Sequence, residues 1–470
     1  MSGRAGRRVV ERVLVDGTLV LETPAHLGNG DAEGLTDMPL LRDARDDSKP
    51  LLTGTSIAGA LRNYVREYEH GYTVAESPND LARQLFGAVQ GEISIQSWLL
   101  IDDALGEYPG IEIRDGVTID PQTRTAEGKK KFDIELLQAG TKFDLSFELL
   151  FTEGKDELVK VLALGLRGLE RGEIGLGMRK RRGLGQCKVT QWRVRRYKVT
   201  TPQGLIAWLK DDRSAERTGP HICDLLGVTL KWPDARETFD IDATFKLESS
   251  LLIRSGSGAG SDPDMVHLRS YRAGKEVPIV SGTSLAGAVR ARALRIAQTV
   301  LGKRGADLVD QMFGRRIGGS ADQPSGSRVL TFESEVQGIH NLVQSRVKID
   351  RFTGGAYPQA LFSEQPVFGG DGSELKVHLA LHNPEKAEVG LLLLVLKDLW
   401  TGDLPLGGES SVGRGRLEGR HAKLKYRRDK DKKTWELMQR ADGGLEFGGN
   451  GTLGELEAFV QALQSYGRGA

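Results

Sequence analysis

The nine residues GTSIAGALR at 54–62 return as GTSLAGAVR at 282–290. Around this anchor the chain repeats itself in order. Leu21-Glu22-Thr23 matches Leu247-Glu248-Ser249, and Leu85-Phe86-Gly87 parallels Met312-Phe313-Gly314. VTIDPQTRTA (117–126) parallels VKIDRFTGGA (347–356), and Gly172, Leu176, Gly177, Gly183 and Gly185 match Gly402, Leu406, Gly407, Gly413 and Gly415. The spacing between partners drifts only from 226 to 230 residues. An ordered repeat of this length requires one folding unit to be built twice, so the search for a fold reduces to one domain of roughly 200 residues.

Composition narrows the class. The chain has 470 residues, 39% hydrophobic and 27% charged, ordinary for a soluble globular protein with room for two or three cores. The formal net charge is only +1, so any nucleic-acid surface must come from local clustering of Lys and Arg. Sixty glycines point to tight turns and Gly-rich loops, and 6% aromatics argue against a site made mainly of stacking rings. Two cysteines, Cys187 and Cys223, are too few for a disulfide framework or a zinc site of their own, which suits a reducing cytoplasm. The first residues lack a signal-peptide pattern, and the run Val389–Leu396 is too short to span a bilayer. No Walker A loop, HExxH or paired Cys/His spacing is present.

Within a copy, Val13, Val15, Thr18, Val20 and Glu22 pattern as a strand, as do Phe239, Ile241, Ala243, Phe245 and Leu247. A Gly-rich loop follows (HLGNGDAEG, RSGSGAGSDPD), then Gly-Thr-Ser and an amphipathic helix carrying Ile57, Leu61, Tyr64, Val65 and Tyr68, or Leu285, Val289, Ala293 and Ile296. Thr55 or Ser56, and Thr283 or Ser284, are expected N-caps. A second helix at about 155–171 and 386–400 leads to a last Gly-rich segment and a closing strand. The βαββαβ order predicts an α+β fold of two tandem ferredoxin-like or RRM-type domains. Boundaries are expected at 1–200 (first domain), 201–237 (linker and helical extension), 238–425 (second domain) and 426–470 (C-terminal extension with a helix). KYRRDKDKK (425–433) reads as a solvated loop.

Five features carry possible chemistry. The helix starting at Gly-Thr-Ser offers free N–H groups and a dipole that favour phosphate, although plain capping explains an isolated case better. GLGMRKRRGLG (175–185) sets Arg179, Lys180, Arg181 and Arg182 between glycines, while GGESSVGRGR (407–416) has Arg414 and Arg416; solvated hairpin turns are the simpler alternative. The segments 117–137 and 347–367 look like hairpins, whose Phe132, Phe352 or Tyr357 could wedge between bases. Asp31 and Asp37, with Asp262 and Asp264, lie in the loops before the helices, where a carboxylate can bind a metal or accept a proton but more often forms a turn. His26, paired with Arg254 in the second copy, is a candidate phosphate contact or a structural histidine.

Together these blocks resemble the RAMP superfamily of CRISPR-associated proteins, most closely the tandem-fused, target-RNA-cleaving backbone subunits of type III effector complexes, type III-D-like. DMPLLRD (37–43), PLLTGTSIAGALR (50–62), the two VxID segments and the terminal Gly-rich loops carry the resemblance. It implies an RRM-type palm with a β-hairpin thumb, stacked along a crRNA guide with other effector subunits and displacing target nucleotides at about six-nucleotide intervals. It implies a metal-dependent endoribonuclease using Mg2+ or Mn2+, with attack by a 2′-hydroxyl leaving a 2′,3′-cyclic phosphate. Asp37 and Asp264 match the family aspartate as catalytic and metal-binding residues, with Asp31 and Asp262 as alternatives. Ser56, Arg62, Ser284 and Arg290 match its phosphate-contacting helix start. The competing expectation is a non-catalytic crRNA-binding scaffold in the same complex. A guide-processing nuclease is disfavoured, since neither copy offers a His/Lys acid–base pair.

Overall fold

A computed structural model describes residues 8–30, 36–90, 93–120, 123, 125–255, 263–315, 325–429 and 431–466. Asp31 and Asp262 lie outside the described residues.

The alternating pattern of Glu11–Leu21 (β1) buries every second side chain and makes it the centre of the first sheet. The chain continues through helices α1 (Gly54–His70) and α2 (Leu81–Phe86) to the short strands β2 (Leu99–Ile101) and β3 (Ala104–Glu107). A hairpin of β4 (Ile111–Ile119) and β5 (Ala126–Leu137) leads to β6 (Lys142–Phe151), α3 (Glu157–Glu170) and β7 (Cys187–Tyr197). The strands are antiparallel in the order β7-β1-β6, with β2 and β3 on the outer edge of β6. With β2/β3 counted as the second strand, this is the 4-1-3-2 order of a βαββαβ unit, and α1 and α3 cover one face. Leu158, Val161, Leu162 and Leu166 of α3 are fully buried against Leu61 and Val65 of α1.

Residues 201–237 complete the first core. They form α4 (Pro202–Leu209), β8 (Arg217–Gly219) and α5 (Ile222–Leu226); β8 pairs with β7, and Ile222 and Leu226 are buried in the first cluster.

The second half repeats the plan. β9 (Thr238–Leu247) is the central strand, followed by β10 (Met265–His267), α6 (Gly282–Leu301), α7 (Arg304–Phe313), β11 (Val329–Thr331) and β12 (Ser334–Gln337). The hairpin β13 (Gln344–Ile349)–β14 (Ala356–Gln365) precedes β15 (Glu374–His382), α8 (Lys386–Trp400) and β16 (Leu417–Arg428). Two more strands, β17 (Asp431–Gln439) and β18 (Leu445–Gly449), widen this sheet, and α9 (Leu453–Gln464) packs on α8. KYRRDKDKK is therefore not a free loop. Its charges decorate the ends of the paired strands β16 and β17, where alternation leaves Tyr426 buried.

Each half holds one large apolar cluster. The N-caps lie two to three residues earlier than expected. Thr53 and Ser281 cap α1 and α6 through hydroxyls that accept the N–H of Ser56 and Ser284 at 3.3 Å. The reason is steric: the helices begin at glycine because a Cβ on Gly54 would strike the Ile101 carbonyl and one on Gly282 the Arg182 carbonyl.

Gly282 also marks the joint between the copies. The Gly-rich segment of the first copy is seated on the second, and a Cβ on Gly183 would strike Phe332 and Glu333. Arg114 of β4 reaches across to Glu333, whose side chain is fully buried and also paired with Arg272, while Glu112 and Ser270 close the network. Tyr72 stacks flat on His382 at 3.5 Å between ring centres.

Candidate nucleic-acid interface

The loops bearing the acidic candidates occupy matching places in the two copies. Met38 bridges in parallel to Ile134 of β5, and Asp37 Oδ2 accepts the Asp133 N–H at 2.9 Å. Met265 and Val266 pair in parallel with Glu364 and Gln365 of β14, and Asp264 Oδ2 accepts the Ser363 N–H at 2.7 Å and its hydroxyl at 3.1 Å. Asp133 and Ser363 stand 230 residues apart, the same offset as the hairpins themselves. Both aspartates are exposed, each aimed by a main-chain donor on its hairpin's second strand. Such donors favour the ionised form, and those of Ser363 hold Asp264 below the usual carboxylate range.

The surroundings differ. Beside Asp37, Asp133 and Asp115 face each other closely enough to share a proton. This, with desolvation and the charges of Asp115 and Asp37, holds the Asp133 carboxyl above its ordinary range. Asp133 Oδ1 is buried with no donor to satisfy it. Lys131 lies 3.2 Å from Asp115. Three carboxylates concentrate negative charge here, which attracts a hard divalent cation, although their ligand atoms do not all lie within 4.8 Å of one another. The second copy has Ser363 and Ser345 at these two positions, leaving one carboxylate and hydroxyls, a poorer donor set.

Next to Asp37 opens a cavity of about 640 Å³ lined by His26, Gly28, Met38, Ser56, Gly177 and Lys180, among others. It brings together the first Gly-rich loop, the start of α1 and the second Gly-rich segment, which the sequence treats as separate features. His26 is buried, with Nδ1 2.8 Å from the Glu135 carbonyl. That nitrogen donates to the carbonyl, which leaves Nε2 against Gly28 at the cavity wall. The Ser56 hydroxyl lies 2.9 Å from that of Thr53 and opens onto the cavity.

The four cations of 179–182 divide their work. Lys180 lines the cavity and Arg182 is exposed. Arg181 bonds the Ser327 carbonyl of the second copy. Arg179, in a left-handed conformation (φ 57°), lies over the Phe132 ring at 4.6 Å. Phe132 is thereby pinned between Arg179 and Gly116 and is not a free wedge. Phe352, by contrast, is fully exposed at its hairpin tip, and Tyr357 is half exposed beneath Lys348.

Several expected contacts are already committed elsewhere. Arg62 forms a two-pronged pair with Glu76 at 2.6 Å, and Arg290 pairs with Asp310 at 2.8 Å. Ser284 bonds the Ser281 hydroxyl at 2.9 Å. Arg414 is only 3% exposed and is held by Glu364, Glu409, Gln344 and Ser250, so it is a structural residue. Its counterpart Leu184 packs on Ile134 and Leu136, so the second copy has replaced a small apolar cluster with an ion network that includes Arg346. Arg254 pairs with Glu409 at 3.3 Å and is not the partner of His26. Met178 N–H bonds the His26 carbonyl just as Gly408 N–H bonds that of Leu252, which makes buried Leu252 the equivalent residue.

Sequence reasoning missed Glu135, which organises the Asp37 loop. Its carboxylate accepts the Leu40 N–H and the Thr36 hydroxyl, both at 3.2 Å, while its carbonyl takes His26. Its alternation in DIELL was the available signal. Also missed were Arg292 and Arg295 of α6. With exposed Arg416, Ser410 and Ser411 they line a cavity of about 410 Å³ in the second copy. Arg292 is paired with Asp398 there.

Among the described residues, no helix is long and apolar enough to cross a membrane. A search of curated proteins returns no match. The family described as the RAMP superfamily matches twice, at residues 18–188 and 244–418, so the two matches coincide with the two halves of the fold. The chain therefore belongs to the RAMP superfamily, with two RAMP regions in tandem, and with that membership comes CRISPR-associated RNA binding.

Proposed function

We propose that this chain is a backbone subunit of a type III CRISPR effector that binds crRNA through both copies and cleaves complementary target RNA. The observation that carries the reading is the pair of equivalent aspartates, each exposed and each oriented by a main-chain N–H of a hairpin. In this reading the hairpins are thumbs. Exposed Ile113, Val117 and Ile119 in one copy and Val347, Ile349 and Phe352 in the other give them apolar surface against which bases can be displaced. The Ser56 hydroxyl and Lys180 hold the guide backbone, and His26 Nε2 accepts a ribose hydroxyl.

Cleavage needs a 2′-hydroxyl in line with the scissile phosphorus, and splaying the strand over a rigid hairpin supplies that geometry. Asp37 Oδ2 is committed to the Asp133 N–H, so Oδ1 is the atom placed to take the 2′-hydroxyl proton. Asp37 would help to hold a Mg2+ or Mn2+ ion, drawn there by the nearby charge of Asp133 and Asp115, and the ion would neutralise charge building on the phosphate oxygens. The second copy has the same aspartate but not the supporting carboxylates. This favours, for that copy alone, weak cutting or a scaffold role.

Assembled particles with guide, labelled target RNA and Mn2+ test the reading. Asp37→Ala is expected to remove one product and leave the others. Asp264→Ala is expected to remove a different and weaker product. Product patterns unchanged in both variants would leave only the scaffold role.

A further inference from the structure

At the opposite end of α1 from the cavity, roughly 24 Å away by helix rise, three metal-ligating side chains converge that the RNA reading does not use. Glu69 and His70 close the last turn of α1, and Asp80 stands at the start of α2. His70 Nε2 is 3.0 Å from Asp80 Oδ1 and 3.4 Å from Glu69 Oε2, within ion-pair reach of both, yet this solvent-shielded nitrogen is well aligned with neither. Asp80 is 1% exposed and sits at the N-cap position of α2 without capping it. Its Oδ2 accepts the Ser77 N–H at 2.7 Å, which turns Oδ1 toward the imidazole. Glu69 Oε2 takes the vacated Leu81 N–H at 2.8 Å. Each carboxylate is thus steered by a main-chain donor, as second-shell bonds steer metal ligands.

The spacing is informative. Tetrahedral ligands at about 2.0 Å from a metal stand about 3.3 Å apart, close to both measured separations. The helix C-terminus adds unpaired carbonyls that favour a cation. The second copy shows what the joint looks like without this set. Its counterparts of Glu69 and His70 are Ala297 and Gln298, and Gly305 packs so closely that a Cβ there would strike the Ala297 backbone. The first copy holds the same two helices together with polar groups that leave one nitrogen unsatisfied.

We propose that Glu69, His70 and Asp80 form a structural site for a zinc-like divalent cation, with solvent as the fourth ligand, locking α2 onto the end of α1. The site is independent of RNA cleavage. Its probe is Co2+, whose visible absorption reports coordination geometry, followed by displacement with Zn2+. The full-length chain, stripped with chelator, is titrated as wild type, as Asp37→Asn (which weakens the other cation candidate), as His70→Gln and as Asp80→Asn. The expected result is one Co2+ per chain with the intense band of a four-coordinate site in wild type and Asp37→Asn. The band vanishes on adding Zn2+, and it is absent in His70→Gln and Asp80→Asn while their circular dichroism stays native. Zn2+ raises the melting temperature of wild type and not of His70→Gln. A wild-type protein with no such band, or a band that survives in both site variants, overturns the proposal.

Discussion

Asp37 and Asp264 share an anchor but not a chemistry. Asp264 is kept acidic by the Ser363 donors and, among the described residues, has no carboxylate neighbour of the kind Asp133 offers Asp37. A proton acceptor of this type contributes about 10²–10⁴-fold to a rate, so Asp37→Asn should reduce its own product by that order in a time course of target cleavage. Asp133→Asn should act differently. It removes negative charge beside the proposed base without touching it, so it should raise the Mn2+ concentration giving half-maximal cleavage at the first site and leave the second site unchanged. If both sites shifted together, the acidic trio would not be a local feature of the first copy. These residues were only partly legible. The loop aspartates stood out beside glycines, but Asp115, Asp133 and Glu135 read as ordinary strand positions until the hairpin folded back onto the loop.

At the scale of elements, the Gly-rich segments are held by glycines that no other residue can replace. Gly185 and Gly415 have φ values of +70° and +77°, and a Cβ on either would collide with the carbonyl of Leu176 or Leu406. Gly185→Ala should therefore cost more than the ordinary Gly/Ala difference, on the order of 2 kcal/mol or more in urea denaturation. Thr53→Ala removes a cap and should cost about 1 kcal/mol. An unchanged midpoint for both would mean that the α1 start and the loop above it are not a rigid cradle. The alternation of β1 and β9 and the helical faces of α1 and α6 could be read directly, because period two and period 3.6 need no knowledge of neighbours. The caps could not, since the shift of two to three residues to Thr53 and Ser281 follows from a glycine pressed against a carbonyl distant in sequence. Nor could the burial of Arg414, whose partners Glu364 and Gln344 come from another hairpin.

At the scale of the molecule, the repeat announced two domains but not how they are joined. The joint is polar and buried. Removing Arg114 leaves Glu333 in a site with no water access and one fewer cation, so Arg114→Met should cost about 3–5 kcal/mol, and Arg114→Met with Glu333→Gln should recover much of it. The Tyr72–His382 stack adds a pH dependence. Burial, reinforced by Arg181, Arg236 and Arg328, lowers the His382 pKa from 6.5 to about 3. The unfolded chain then binds a proton that the folded chain refuses. The contribution is complete above pH 6.5 and is lost as pH falls toward 3, by about 2–3 kcal/mol between pH 6.5 and about 4.5. Melting temperature across that range should fall less steeply in His382→Gln than in wild type. The far end of the molecule repeats the first copy's Gly-rich surface without a neighbour. Nothing lies within 4 Å of a Cβ on Gly413, and Val412 is exposed, which in the proposed function is where the next effector subunit sits.

The central claim is that both copies grip one RNA strand with the same surface. Cross-linking a 4-thiouridine-substituted guide to the purified particle, then mapping the attached peptides, tests it most directly. The predicted adducts fall in two matching sets, near His26, Ser56 and Lys180 in the first copy and near Leu252, Ser284 and Ser410 in the second. Adducts confined to one copy, or spread over the outer strands and α9, would contradict it.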